Sequence, residues 1–160
     1  MIQLKHINTE SAELETVRHL FKAYASELNV DLCFQGFEAE LKDPLKKYGM
    51  PTGSLWLAYY NGEPAGTIAL QALKEEGVCE MKRLYVIPEC RKAGIGELLV
   101  DELLKNAIQL GYTTMKLDTL DRLQPAIKLY LRKGFVITTA YYMNPLPSVV
   151  YMEKKLSPLA

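Results

Sequence analysis

EMKRLYVIPECRKAGIGELLVDELLKNAIQL, residues 80–110, holds a strand, a turn and a helix in one run. Met81 to Val86 is extended in type, and Pro88 closes it because a proline cannot donate to a continuing ladder. Beyond the turn, Ile95, Leu98, Leu99, Leu103, Ala107 and Leu110 recur at steps of three and four, with Glu102 the only polar interruption of that helix face. Asp101 and Lys105 are spaced for an i,i+4 pair on the wet side. Between strand and helix lies Arg91-Lys92-Ala93-Gly94-Ile95-Gly96, an R-x-x-G-x-G turn. The first N–H groups of a helix have no partners inside it and sit at the positive end of its dipole. A glycine-bearing turn that opens a helix is therefore an anion site. Gly94 and Gly96 let a ligand approach the backbone, and Arg91 and Lys92 add positive charge. The expected ligand carries a phosphate or pyrophosphate.

The spacing is neither the G-x-x-x-x-G-K-[ST] of a P-loop nor the three-glycine G-x-G-x-x-G of a dinucleotide fold. It resembles the R/Q-x-x-G-x-G/A acyl-CoA pyrophosphate loop of the GNAT superfamily of N-acetyltransferases. The resemblance covers LYVIPECRKAGIG, residues 84–96, which is similar to that family's passage from its fourth strand into its central helix. Downstream, Ala126-Ile127-Lys128-Leu129-Tyr130 followed by Lys133-Gly134-Phe135 resembles the family's A-x-x-L-Y-x-x-x-G-F signature. The alternative is a glycine-capped turn followed by a core tyrosine. The resemblance implies an α/β fold of GNAT type: a mixed, largely antiparallel sheet of six to seven strands, helices on both faces, and a splayed strand pair for the CoA arm. It also implies acetyl-CoA as co-substrate and no metal.

Outward from this run the chain reads as follows. Ile2, Leu4 and Ile7 alternate loosely with polar residues, as in a first strand. Asn8, Thr9 and Ser11 are N-cap candidates for a helix repeating Leu14, Val17, Phe21, Tyr24 and Leu28. Phe37, Leu41, Leu45 and Tyr48 suggest a second helix that Asp43-Pro44 must break or restart. Ser54 to Tyr60 and Pro64 to Leu73 form a hairpin around Asn61-Gly62, and Glu75-Glu76-Gly77 turns the chain into Val78 to Val86. Gly111 ends the central helix. Thr113 to Thr119 then forms a strand that should lie parallel to the one before the helix. Leu123 to Arg132 is a short helix with Pro125 in its first turn and Gly134 at its stop. Phe135 to Tyr142 and Val149 to Lys155 are two last strands around an Asn144-Pro145-Leu146-Pro147 loop. Residues 1–156 read as one domain, with a frayed tail at 157–160.

Acetyl transfer from a thioester to an amine needs a proton acceptor, a donor to the forming oxyanion, and an acid for the departing thiolate. A positioned acid or base contributes ~100- to 10,000-fold. The resemblance assigns the base to Glu80, eleven residues before Arg91; the alternatives are a water relay, as in many family members, or Asp118, with Asp121 third. Otherwise Glu80 is an exposed strand carboxylate paired with Lys82 or Arg83. If no bulge intervenes, Lys82 and Leu84 share its face, but a bulge is characteristic of this strand in the family. Tyr130 matches the family tyrosine that faces the cofactor sulfur. The backbone of Leu84, Tyr85 and Val86 matches the groups that pair with the pantetheine arm. Arg91, Lys92, Ala93, Gly94, Ile95 and Gly96 match the pyrophosphate loop. The sequence departs from the family at Leu123, where many members carry a cofactor-binding asparagine, and Thr119 is the expected substitute. Tyr24, Phe34, Phe37 and Tyr48, with the stretch Tyr141-Tyr142-Met143-Asn144-Pro145, are candidates for the acceptor side. Each also reads as ordinary packing.

With 160 residues the chain can bury a sizeable core unaided, and 19 basic against 19 acidic residues give no net charge. That balance argues against a nucleic-acid binder or a polybasic membrane binder. Cys33, Cys79 and Cys90 form no CxxC and read as free thiols of a cytoplasmic protein. None has a nearby histidine to activate it, which favours direct attack over an acyl-enzyme. No apolar run approaches the length of a membrane span. The acceptor is expected to be a small-molecule amine. A homodimer, if formed, would use the last two strands. The rival function is a non-catalytic acyl-CoA-binding regulatory module, or a protein N-acetyltransferase.

Overall fold

Seven strands make one sheet in the order β1-β2-β3-β4-β5-β7-β6 in the computed structural model, which describes residues 1–157. Of the tail expected from Ser157, residues 158–160 lie outside the described residues. The strands are β1 (Ile2–His6), β2 (Ser54–Tyr60), β3 (Glu63–Ala72), β4 (Val78–Val86), β5 (Thr114–Leu120), β6 (Val136–Thr138) and β7 (Val149–Lys155). Every neighbouring pair is antiparallel except β4 and β5. Those two are joined through the long helix between them, the connection that returns a strand parallel to its predecessor. The β2–β3 turn places Asn61 and Gly62 at φ 51° and 85°, the mirror-image turn whose twist matches that of the flanking strands.

Among the described residues five α-helices flank the sheet: α1 (Ala12–Leu28), α2 (Phe37–Lys42), α3 (Pro44–Tyr48), α4 (Ile95–Gln109) and α5 (Gln124–Arg132). Of the three capping candidates, Ser11 caps α1, accepting the Leu14 N–H at 3.3 Å. Asp43-Pro44 divides the second helical segment into α2 and α3, as proline's missing N–H requires. Ile95, Leu99, Leu103 and Ala107 of α4, with Leu129 and Tyr130 of α5, bury against one face of the sheet. Leu14, Val17 and Phe21 of α1, with Tyr48 of α3, bury against the other. The architecture is a mixed α/β sheet with helices on both faces.

One expected strand is shorter than the sequence suggests. Phe135 to Tyr142 reads as a strand throughout, but pairing with β7 stops at Thr138. Tyr141 and Tyr142 leave the ladder because their hydroxyls bond the buried carboxylates Glu80 and Asp118.

Candidate active site

The β4–β5 ladder holds only at its start. Val78, Cys79 and Glu80 pair with Thr114, Met115 and Lys116, and beyond them the strands part. A β-bulge redirects the freed half of β4. Thr67 and Ala69 of β3 register with Tyr85 and Lys82, so Ile68 alone opposes both Arg83 and Leu84. Arg83 sits in the left-handed region at φ 59°, and the Thr67 hydroxyl donates to its carbonyl at 2.9 Å. The extra residue breaks the simple alternation. Met81 and Leu84 pack toward α4, while Arg83 reaches Glu40 of α2, Tyr85 packs with α1, and Lys82 lies between Glu80 and Asp118. Leu84 therefore does not share the face of Glu80 and Lys82.

The cleft between the parted strands is lined by Lys82 and Leu84 of β4, Asp118 and Thr119 of β5, and Leu123 and Tyr130 of the α5 region. Past Leu84, β4 continues through Val86 to the turn that starts α4. There Lys92 and Gly94 have φ 70° and 86°, and α4 starts on Gly94 without a side-chain cap. A Cβ on Gly94 would meet nothing within 4 Å, and one on Gly96 would make ordinary contacts at 3.7 and 3.9 Å. Neither glycine is demanded by packing against Gly94 or Gly96 themselves. Their bareness keeps the helix N-terminus open to a ligand. The acid in that first turn, Glu97, is drawn off by Lys133 at 2.8 Å. Arg91 donates from Nε to the Val86 carbonyl at 2.9 Å and from Nη2 to Glu27 at 2.6 Å. Tyr85 sends its hydroxyl to the same Glu27.

Glu80 is 3% exposed, so the exposed-carboxylate reading is corrected. Gln71 donates to one of its oxygens at 2.6 Å and Tyr141 to the other at 2.5 Å. The ammonium of Lys82, itself buried, lies 4.0 Å from Glu80 and 3.8 Å from Asp118. Burial holds that lysine below its usual pKa, against the pull of the two carboxylates. Asp118 accepts hydrogen bonds from the Tyr142 hydroxyl and from Asn144 Nδ2. Tyr130 packs edge-on to Phe135, and burial raises its phenol above the ordinary range, keeping it protonated at neutral pH.

The carboxylates divide between two spaces. Asp118 lines the cleft with Tyr130, whereas Glu80 lines an adjoining groove with Tyr141 and Lys116. Lys82 borders both.

Tyr130, Thr119 and Leu84 thus meet in the cleft, whereas residues 91–96 follow β4 in the chain and do not line it. Of the acceptor-side candidates, Phe34, Tyr141 and Tyr142 line the groove and Tyr24 and Asn144 the cleft. Phe37 packs on the Arg83 guanidinium at 5.3 Å. Tyr48 is core: it is fully buried, edge-on to Phe21, and borders neither space. Cys79 is buried and its thiol is pushed up to about 12, which makes it inert. Glu27 and Glu40 carried no signal in the sequence, because their partners Arg91 and Arg83 lie 64 and 43 residues along the chain, whereas Gln71 is only nine residues from Glu80, its partner across the β3–β4 pairing. Among the described residues no group of three or more His, Cys, Asp or Glu is placed to hold a metal ion. Nor is any described helix long and apolar enough to cross a membrane.

The sequence profile of the acetyltransferase (GNAT) family matches residues 14–135. An uncharacterized N-acetyltransferase of Schizosaccharomyces pombe is 44% identical over 91% of this chain and 90% of its own length. A solved Klebsiella pneumoniae structure, described as an acyl-CoA N-acyltransferase, is 31% identical with a TM-score of 0.75, covering 98% of this chain and 99% of its own. An acetyltransferase from Streptococcus agalactiae shares the fold at a TM-score of 0.79 and 19% identity, covering 97% of this chain and 98% of its own. The R-x-x-G-x-G turn, the parted strands and the tyrosine between them are thus features of a chain that belongs to the GNAT family of N-acetyltransferases and is an acyltransferase.

Proposed function

We propose that this protein transfers the acetyl group of acetyl-CoA to a primary amine of a small molecule by direct attack. The observation that carries the reading is the end of the β4–β5 ladder at Glu80 and Lys116. It leaves the β5 side of Leu84–Val86 without a strand partner, and a pantetheine arm supplies the missing pairing by strand addition. Tyr130 lines the cleft beside Leu84, and β4 leads on to the turn 91–96, whose helix N-terminus and basic residues suit a pyrophosphate. Thr119 offers a polar contact where Leu123 cannot. The free thiols of Cys33, Cys79 and Cys90 suit a reducing compartment, the cytoplasm in this reading.

In the reaction, the amine nitrogen attacks the thioester carbonyl carbon, so a C–N bond forms and the C–S bond breaks. Glu80 takes the proton lost by nitrogen, directly or through water. Tyr130 gives its proton to the departing thiolate. A backbone N–H of Leu84 or Tyr85 polarises the carbonyl. One observation favours a second assignment of the base: Asp118 lines the cleft with Tyr130, and Glu80 does not. Glu80→Gln and Asp118→Asn separate the two. The true base loses ~100- to 10,000-fold in kcat, and the other carboxylate loses far less.

Calorimetric titration with acetyl-CoA, run on wild type and Gly94→Glu, tests the reading as a whole. Gly94 has open space around its Cβ position, although its φ of 86° strains any side chain. A glutamate there opposes a pyrophosphate by charge and bulk. Binding by wild type that is lost in a folded variant supports the proposal. No binding by folded wild type ends it.

A further inference from the structure

The groove beside Glu80 has a charge pattern that acetyl transfer alone does not require. We infer that it takes amines that carry their own anionic group, a carboxylate or phosphonate, close to the nitrogen. This deepens the acetyl-transfer reading and rests on it.

The groove has a volume of about 570 Å³, within the ~300–1,000 Å³ typical of small-molecule sites. Four lysines line it, Lys47, Lys74, Lys82 and Lys116, against Glu75 and Glu80. Two of the lysines are committed. Lys82 lies between Glu80 and Asp118, and Lys47 is held by Glu40 at 3.2 Å. The other two are not. Lys74 stands exposed at the rim, and Lys116 is half-buried along the wall. Among the described residues neither takes part in an ion pair. Glu153 faces Lys116 across the β5–β7 register, but its carboxylate lies 3.9 Å from Lys155 instead. The Lys116 ammonium sits over the Tyr141 ring, 5.3 Å from its centroid.

Tyr141 therefore carries a cation on its face while its hydroxyl bonds an anion, Glu80. Glu80 and Lys116 are register partners at the last rung of the β4–β5 ladder, so their Cα atoms belong to adjacent strands about 5 Å apart. A ligand spanning this rung meets a carboxylate at one end and an ammonium at the other. An α-amino acid or an aminoalkylphosphonate matches both, with nitrogen toward Glu80 and anion toward Lys116. A diamine or polyamine sets its second cation against Lys116 and Lys74. An amino amide leaves Lys116 unanswered.

The test compares thiol release from acetyl-CoA for matched acceptors: phenylalanine against phenylalaninamide, aminomethylphosphonate against methylamine, and spermidine. The anionic member of each pair should have a kcat/KM at least about tenfold higher, the size of effect one added charge-assisted contact gives. Lys116→Met should reduce that ratio several-fold, and Lys74→Met less. Better turnover of the amides, amines or spermidine overturns the inference, as does a ratio unchanged in both variants or no turnover of any anionic amine. Acetyl-CoA titration in parallel separates the two readings. If acetyl-CoA does not bind, the transfer reading falls. The groove is then judged by titrating the same acids and amides without acetyl-CoA, where equal or absent binding overturns the inference.

Discussion

At the scale of single residues, the turn proposed to hold a pyrophosphate already has its arginine in a bond that would compete. Arg91, a residue matched to the anion loop, spends Nε on the Val86 carbonyl and Nη2 on Glu27. In the proposed complex the Glu27 carboxylate and a pyrophosphate would compete for one guanidinium. Both partners are about two-fifths exposed, and such pairs contribute about 0.2–1 kcal/mol. Glu27→Gln should therefore tighten acetyl-CoA binding by about 1.5- to 5-fold at low ionic strength. The gain should shrink in 1 M salt, where the screening length is about 3 Å. Calorimetry at two salt concentrations reads the effect. An affinity that is unchanged at low salt means that Glu27 and the ligand do not share Arg91. Nothing in the sequence announced this contact, since Glu27 and Arg91 stand 64 residues apart. The turn itself was legible because all its determinants fall within six consecutive residues, 91–96.

At the scale of elements, the β4 bulge decides which side chains face α2. By adding one residue it directs Arg83, 3% exposed, into a two-point bond with Glu40 at 2.8 and 2.9 Å. Gln35 accepts a third bond from the same guanidinium at 2.9 Å. Removing one member of a buried pair strands the other, at a cost of about 3–5 kcal/mol. Arg83→Met should fall at the lower end of that range, because Lys47 still reaches Glu40. Arg83→Met/Glu40→Leu should cost less than the sum of its single changes. Urea unfolding measures each, and strict additivity would show that the pair does not act as a unit. The pH dependence follows from Glu40. Burial opposes its ionisation, but Arg83, Lys47 and the Tyr48 hydroxyl together outweigh burial and hold its pKa below the ordinary 4.5. A depressed carboxyl stabilises the fold above its unfolded pKa and loses that contribution as pH falls through its folded pKa. The stability gap between wild type and Glu40→Gln should thus be constant above about pH 5 and close on further acidification. Elements were legible wherever the pattern is local, as in the Asn61-Gly62 hairpin and the apolar stripe of α4. The end of β6 was not. Residues 139–142 have the composition of a strand, and only the distant carboxylates Glu80 and Asp118 draw Tyr141 and Tyr142 away from β7. The members of the Glu80–Lys82–Asp118 cluster were legible, Lys82 as a neighbour of Glu80 on one strand and Asp118 through the crossover that sets β5 beside β4. Their hydrogen-bond partners Tyr141 and Tyr142 were not, because residues 139–142 read as strand.

At the scale of the whole molecule, the sheet has a seam. β1 to β4 form one continuous ladder and β5 to β7 another, and three residue pairs join them. Besides those pairs, one core that includes residues of α4 and α5 spans strands of both parts. A ligand that lies along the open half of β4 and reaches the α4 N-terminus adds backbone bonds where the sheet itself has none. It binds the folded chain and not the unfolded one, so it stabilises by RT ln(1 + [L]/Kd), about 2.7 kcal/mol at one hundred times Kd. For a chain of this size each kcal/mol moves Tm by about 2–4 °C, so acetyl-CoA at that excess should raise it by about 5–10 °C. Gly94→Glu should show no rise. Hydrogen exchange locates the effect. Amides of residues 81–86 and 117–120 should slow when acetyl-CoA is added, while those of β1 and β2, far from the seam, should change only with global stability. Slowing spread evenly over the sheet would place the ligand elsewhere. Slowing confined to 91–96 would mean that the turn binds phosphate and the parted strands do not take the arm. Only protection on both sides of the seam makes the open ladder a substrate site.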